Sequence, residues 1–277
     1  MTLTTTARTL AVPGARLHHE LRGDGPLLAL VGSPMDARAF EALADLLAAD
    51  HTVLTTDPRG INRSPLDDPE QDSTPELRAD DLARLIEHVG GGPAAVLGSS
   101  GGAVTALALA QTRPDLVHTV VAHEPPLEEL LEDRDRRRAA TEHMIATFVS
   151  HGPAAAWAEF LAEAAIDLPE GEGPGGPIPD EAERDPQEVA DERRFFLHEL
   201  RGTTRWQPDL AALRGGPTRV VVGIGEESRG QLCDLTSTAL AVELASEPAT
   251  FPGDHVGFLV DPAAFADRLR AVLAGAG

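Results

Sequence analysis

Short runs of aliphatic and β-branched residues recur along this chain, separated by amphipathic stretches, and few folds accommodate that alternation. The runs fall at residues 27–31, 51–56, 94–98, 117–123 and 218–222. Each is apolar at consecutive rather than alternate positions, as in strands covered on both faces. Residues 37–49, 76–89 and 102–112 are amphipathic and long enough to be crossover helices. The pattern predicts a parallel, helix-flanked sheet, with 16–22 and 249–251 as further strands at its beginning and end.

The alternation stops after Pro126 and resumes at Thr218. Helix-like stretches at 136–149, 154–165 and 181–200, without a convincing strand, predict a helical cap inserted after the sixth strand. Residues 168–180, dense in Gly, Pro and acid, read as a mobile loop. The expected division is a core of 1–126 and 207–277 and a cap, or lid, of 127–206. With 277 residues, 42% of them hydrophobic and 25% charged, the chain can bury one large core.

A formal charge of −22 repels phosphate backbones and anionic lipid surfaces, so neither nucleic acid nor a membrane is an expected partner. All 23 basic residues are Arg, the usage of a GC-rich bacterial genome. The single Cys233 cannot close an internal disulfide and reads as a small buried residue in a helix. The first ten residues lack the apolar run of a signal peptide, and no stretch is long enough to span a bilayer. A cytoplasmic location is the expectation.

Gly98-Ser99-Ser100-Gly101-Gly102 fits G-x-S-x-G in one register, centred on Ser100. An apolar strand runs into it and a helix-forming stretch runs out, the context a nucleophile elbow requires. The elbow strains the serine backbone and brings strand and helix together, so only small residues fit two positions to either side. Gly98 and Gly102 meet that demand. The helix that follows points its N-terminal amides at developing negative charge.

From about Leu27 to Leu273 the chain thereby resembles the α/β-hydrolase family. That resemblance implies an α/β-hydrolase fold, with a mostly parallel central sheet flanked by helices. Leu30-Val31-Gly32-Ser33-Pro34 resembles the family's oxyanion loop, with Val31 in place of a His. Pro34 has no N–H, so the oxyanion hole falls on the backbone amides of Ser33 and Gly101. Asp57-Pro58-Arg59-Gly60-Ile61-Asn62-Arg63-Ser64 resembles an architectural segment of the family, with Asn62 where Gly is usual. Asn tolerates left-handed backbone, so this departure is mild.

The resemblance also places the general base. His255, in Gly253-Asp254-His255-Val256-Gly257-Phe258, lies between the last strand and a final helix at 262–273. The third member stays open between two residues. Most relatives carry an Asp after the penultimate strand; here Glu226 has the usual offset from Gly223. Glu124, in His123-Glu124-Pro125-Pro126, ends the strand after the nucleophile, where some haloalkane dehalogenases of this fold place a catalytic Glu. Glu124 is preferred and Glu226 is the alternative. Met35 and His123 are candidates to touch the substrate.

These residues imply acyl transfer through an acyl-enzyme, as in a carboxylic ester hydrolase acting on a small-molecule ester or lactone. A serine nucleophile argues against epoxide hydrolase or dehalogenase chemistry, which uses Asp in this fold. A cofactor-free peroxidase uses a similar triad. The alternative readings are cyclisation, elimination or ring opening in bacterial specialised metabolism, or a non-catalytic ligand receptor. No metal cluster or phosphate-binding loop is apparent and no cofactor is implied. The expected partners are a small-molecule substrate and a possible second copy in a homodimer.

Overall fold

A computed structural model describes residues 5–166 and 184–275. Eight strands form one sheet: β1 (Thr6–Val12), β2 (Ala15–Arg22), β3 (Leu27–Val31), β4 (Thr52–Thr56), β5 (Ala94–Ser99), β6 (Val117–His123), β7 (Arg219–Gly225) and β8 (Ala249–Phe251). Their order is β1-β2-β4-β3-β5-β6-β7-β8. β1 pairs antiparallel with β2, and β2 with β4; every later pairing is parallel. The seven strands expected from the sequence are present, together with β1, which carried no signal of burial. β1 is an exposed edge strand held by the backbone ladder to β2, so its residues need no apolar pattern. β7 also runs beyond the expected end at Val222, because Gly223, Ile224 and Gly225 pair with β8.

Two cores lie on opposite faces of the sheet, and β3 shows how one strand serves both. Leu27, Ala29 and Val31 pack in one cluster with α2 (Pro75–Val89) and α3 (Gly101–Thr112). Leu28 and Leu30 pack in the other with α1 (Glu41–Leu47) and, at the end of the chain, a helix over Pro262–Leu273. Side chains alternate across a strand, so a continuous apolar run fills both layers. α3 is buried at every position from Gly101 to Ala110, and its small residues let it sit close behind β5.

Between β6 and β7 the described residues form helices only. A 3-10 turn (Glu128–Leu130) leads to α4 (Arg134–His151) and α5 (Pro153–Ala164). Further along the chain come α6 (Pro186–Arg194), α7 (Leu200–Thr204) and α8 (Leu210–Gly215). The helix expected at 181–200 differs in detail. Asp185 caps it, its side chain accepting from the Gln187 amide at 2.8 Å, and the path widens into a π-turn at Phe195–Glu199. The loop expected at 168–180 lies outside the described residues. Met144, Ile145, Ala156, Phe195, Phe196 and Leu200 make a third apolar cluster, in which Trp157 stacks on Phe195 at 5.3 Å. The remaining helices are α9 (Leu232–Glu243), α10 (Gly257–Val260) and α11 (Pro262–Leu273). No helix among the described residues is long and apolar enough to cross a membrane.

Candidate active site

β5 ends at Ser99 and α3 begins at Gly101, which leaves Ser100 as the turn between them. Its backbone lies at φ 55°, ψ −125°, a region that costs a non-glycine residue free energy and persists only when the surroundings hold it. Here the Ser100 amide donates to the His123 carbonyl at 3.0 Å, and the Ser100 carbonyl accepts from the Ala103 amide at 2.9 Å. Two glycines make the bend sterically feasible. A Cβ on Gly98 would overlap the Gly102 carbonyl, and a Cβ on Gly102 would overlap the Val31 carbonyl. Both obstacles are backbone of packed elements and cannot swing away. Gly102→Ala is therefore expected to destabilise the protein by about 1–3 kcal/mol or more, read as a lowered midpoint in chemical unfolding.

Glu124 follows β6 directly, and its φ of 53° turns the side chain at the carboxyl edge of the sheet. The turn is anchored to β7: the Glu124 amide donates to the Gly223 carbonyl at 3.0 Å, and the Gly225 amide donates to Glu124 Oε1 at 2.8 Å. The other oxygen, Oε2, lies 2.7 Å from His255 Nδ1. A carboxylate can only accept there, so Nδ1 carries the proton and Nε2 is the free base. Burial would raise the fully buried Glu124 carboxyl, but the hydrogen bond from His255 and the nearby imidazoles outweigh it and hold its pKa at about 2. Burial would likewise depress His255; the neighbouring Cys233 sulfur and the Glu124 carboxylate outweigh that and hold it well above its ordinary value.

Glu226 is elsewhere. Its side chain is exposed, and its amide is spent on the Phe251 carbonyl at 2.9 Å. Of the two acids weighed in the sequence, the structure brings Glu124 to His255 and leaves Glu226 at the surface.

Ser33 and Gly101 adjoin, since a Cβ on Gly101 would lie 2.7 Å from the Ser33 carbonyl oxygen. Both line a cavity of about 210 Å³, together with Ser100, His255 and Met35. His123 does not reach it, which corrects the expectation that it touches substrate. Its ring is fully buried on the other side of the strand end, edge-on to Phe251 and Phe265. Burial pushes its pKa down to about 4, so it is a neutral core residue at ordinary pH. Asn62 takes φ 47°, as the substitution for Gly requires, and its amide donates to Asp191 Oδ1 at 2.9 Å.

One neighbour was not legible in the sequence. Cys233 on α9 is buried as expected, yet it also lines the cavity and stands against His255. Ligand-type atoms of Glu124, Cys233 and His255 lie within 4.8 Å of one another, the one such group found among the described residues. Its capacity to hold a metal is limited, because His255 Nδ1 already directs its proton at Glu124. No local motif marks Cys233, which only the packing of α9 brings to residues in two distant loops.

The chain has known relatives. Residues 27–268 match the model of the alpha/beta hydrolase family. The chain is 31% identical over 270 residues to the uncharacterized hydrolase YraK of Bacillus subtilis (strain 168), covering 96% of this chain and 95% of that one. Over 102 residues, 36% of either chain, it is 36% identical to a 2-(acetamidomethylene)succinate hydrolase of Mesorhizobium japonicum. Among solved structures, an esterase from Thermogutta terrifontis superposes with a TM-score of 0.65 at 20% identity, covering 100% of this chain and 99% of that one. The match of family model and near-full-length relative leaves one assignment: this chain is a hydrolase belonging to the alpha/beta hydrolase family.

Proposed function

We propose that the protein is a serine hydrolase of small carboxylic esters or lactones, with Ser100 as nucleophile, His255 as general base and Glu124 as its acid. The observation that carries this reading is the strained turn at Ser100 opening on the same cavity as an imidazole whose far nitrogen is bound to a buried carboxylate. His255 Nε2 takes the hydroxyl proton as Ser100 Oγ bonds to the substrate carbonyl carbon. The carbonyl oxygen becomes an anion received by the Ser33 and Gly101 amides. The imidazolium returns the proton to the leaving alkoxide, the C–O bond breaks, and an acyl-enzyme remains. Water deprotonated by the same imidazole then releases the acid and restores Ser100. The helices described between residues 127 and 206 serve as a cap over this site, with Trp157, Phe160 and Phe195 as its apolar wall.

A fluorophosphonate tests this directly, since it should modify Ser100 and peptide mapping should find the adduct on that residue. The base must be neutral to act, and its pKa is held above the ordinary value of 6.5. The labelling rate is therefore expected to rise with pH, with a midpoint above 6.5. A protein that is folded yet unlabelled across that range would instead be a ligand receptor.

A further inference from the structure

The cavity beside Ser100 carries three carboxylates and, among the described residues that line it, no Arg. They are Glu128 from the turn after β6, Glu163 from α5 and Glu199 from the π-turn. Glu163 is already matched: its oxygens accept from Arg136 at 2.8 and 2.9 Å and from Arg137 at 3.0 Å. The other two are not. Glu199 is 1% exposed; its Oε2 accepts from Ser33 Oγ at 2.8 Å, while Oε1 has no donor. Glu128 is 5% exposed, and its Oε2 has no donor either.

A buried acceptor without a donor is costly, and natural proteins keep few of them. Countercharges do stand behind both groups. Arg78 and Arg194 act on Glu199, but Arg78 directs its donors to Ser73, Thr105 and Thr203, and Arg194 bonds the Pro69 carbonyl through Nη1 while its Nε and Nη2 meet no acceptor. Arg136 and Arg137 act on Glu128 from α4 while bonding Glu163 and Asp133. These four guanidinium groups make the carboxylates tolerable without filling the unmatched oxygens. Burial first, and then the charges of Glu163 and Glu129, push the Glu128 carboxyl up to about 7 against the pull of the two arginines. A cation in the cavity would favour its ionised form.

The remaining walls suit the same guest. Trp157, Phe160 and Phe195 present aromatic surface, which attracts a cation as well as hydrocarbon. Glu199 is also tied to the expected oxyanion loop by the Ser33 hydroxyl.

We propose that the cavity selects acyl compounds bearing a protonated amine, received by the carboxylates of Glu199 and Glu128 against the aromatic wall. This rests on Ser100 being the nucleophile only for the claim of turnover; the claim of recognition stands without it.

Methyl ε-ammoniohexanoate, methyl heptanoate and monomethyl adipate place a cation, a methyl group or an anion at one end of similar esters. Calorimetric binding to Ser100→Ala isolates recognition from catalysis. The ammonium ester is expected to bind about tenfold or more tighter than heptanoate, with adipate weakest. Glu199→Gln and Glu128→Gln, each introduced into that protein, should bring the ratio of the first two toward one. The wild type should show the same order in kcat/KM. Equal binding of ammonium ester and heptanoate, tighter binding of adipate, or no measurable binding of the ammonium ester overturns the inference, and none of these comparisons needs a carboxylate variant to fold. Selective binding without turnover or fluorophosphonate labelling would keep the inference and reject the serine hydrolase reading.

Discussion

Ser100→Ala is expected to lower ester turnover by about five orders of magnitude or more and to abolish fluorophosphonate labelling. The prediction is severe because this substitution removes one oxygen and nothing structural. The backbone of residue 100 holds φ 55° through bonds from its own amide and carbonyl, which Ala retains, and Ala is no more strained there than Ser. The unfolding midpoint should stay close to that of the wild type, so lost activity reports chemistry. The thiol of Cys233 supplies the contrast, since it too lies against His255. Cys233 sits on α9 and is not part of the strand-to-helix bend that places Gly101 and Ser33 beside the serine. Cys233→Ala should therefore leave turnover within about one order of magnitude. Loss of labelling in Cys233→Ala and its survival in Ser100→Ala would move the nucleophile to the thiol.

Glu124→Gln is expected to reduce kcat by about three to four orders of magnitude with the fold intact. The reason lies in the second bond of that carboxylate. Gly225 donates its amide to Oε1 at 2.8 Å, so the carbonyl oxygen of a Gln is held on that side. The Gln NH2 then faces His255 Nδ1 and must donate to it. This forces the proton onto Nε2, the nitrogen that should take the serine proton, and the base is disabled by its tautomer. Without the carboxylate the imidazole pKa also falls, so the residual activity should reach its plateau at lower pH than in the wild type. Glu226→Gln, at an exposed position, should change kcat by less than about twofold. A pH–rate series on both variants checks the two claims, and a crippled Glu226→Gln beside an active Glu124→Gln would exchange their roles.

How much of this was legible beforehand varies with the distance over which residues communicate. β3 and β6 were readable to the residue because burial on both faces demands unbroken apolar runs. The elbow was readable because its demands are local: a strand, a small residue two positions to either side, and a helix. β1 was not, since an exposed edge strand is held by backbone bonds that any side chains permit. The π-turn at Phe195–Glu199 was not either, because it depends on how α6 and α7 settle against the neighbouring helices rather than on their composition.

Chain order and local chemistry thus determined the architecture and the serine in its bend, and the family resemblance they carry pointed to the histidine after the last strand. Tertiary structure decided the partners of that histidine. The parallel register that sets His123 beside Gly223 carries Glu124 to Gly225 and to the imidazole, while α9 delivers Cys233. It also turned His123 into the core and gathered Glu128, Glu163 and Glu199 around one cavity. Secondary structure follows from interactions a few residues long. Which side chains meet across a sheet edge follows from register and packing, which no short stretch of sequence contains.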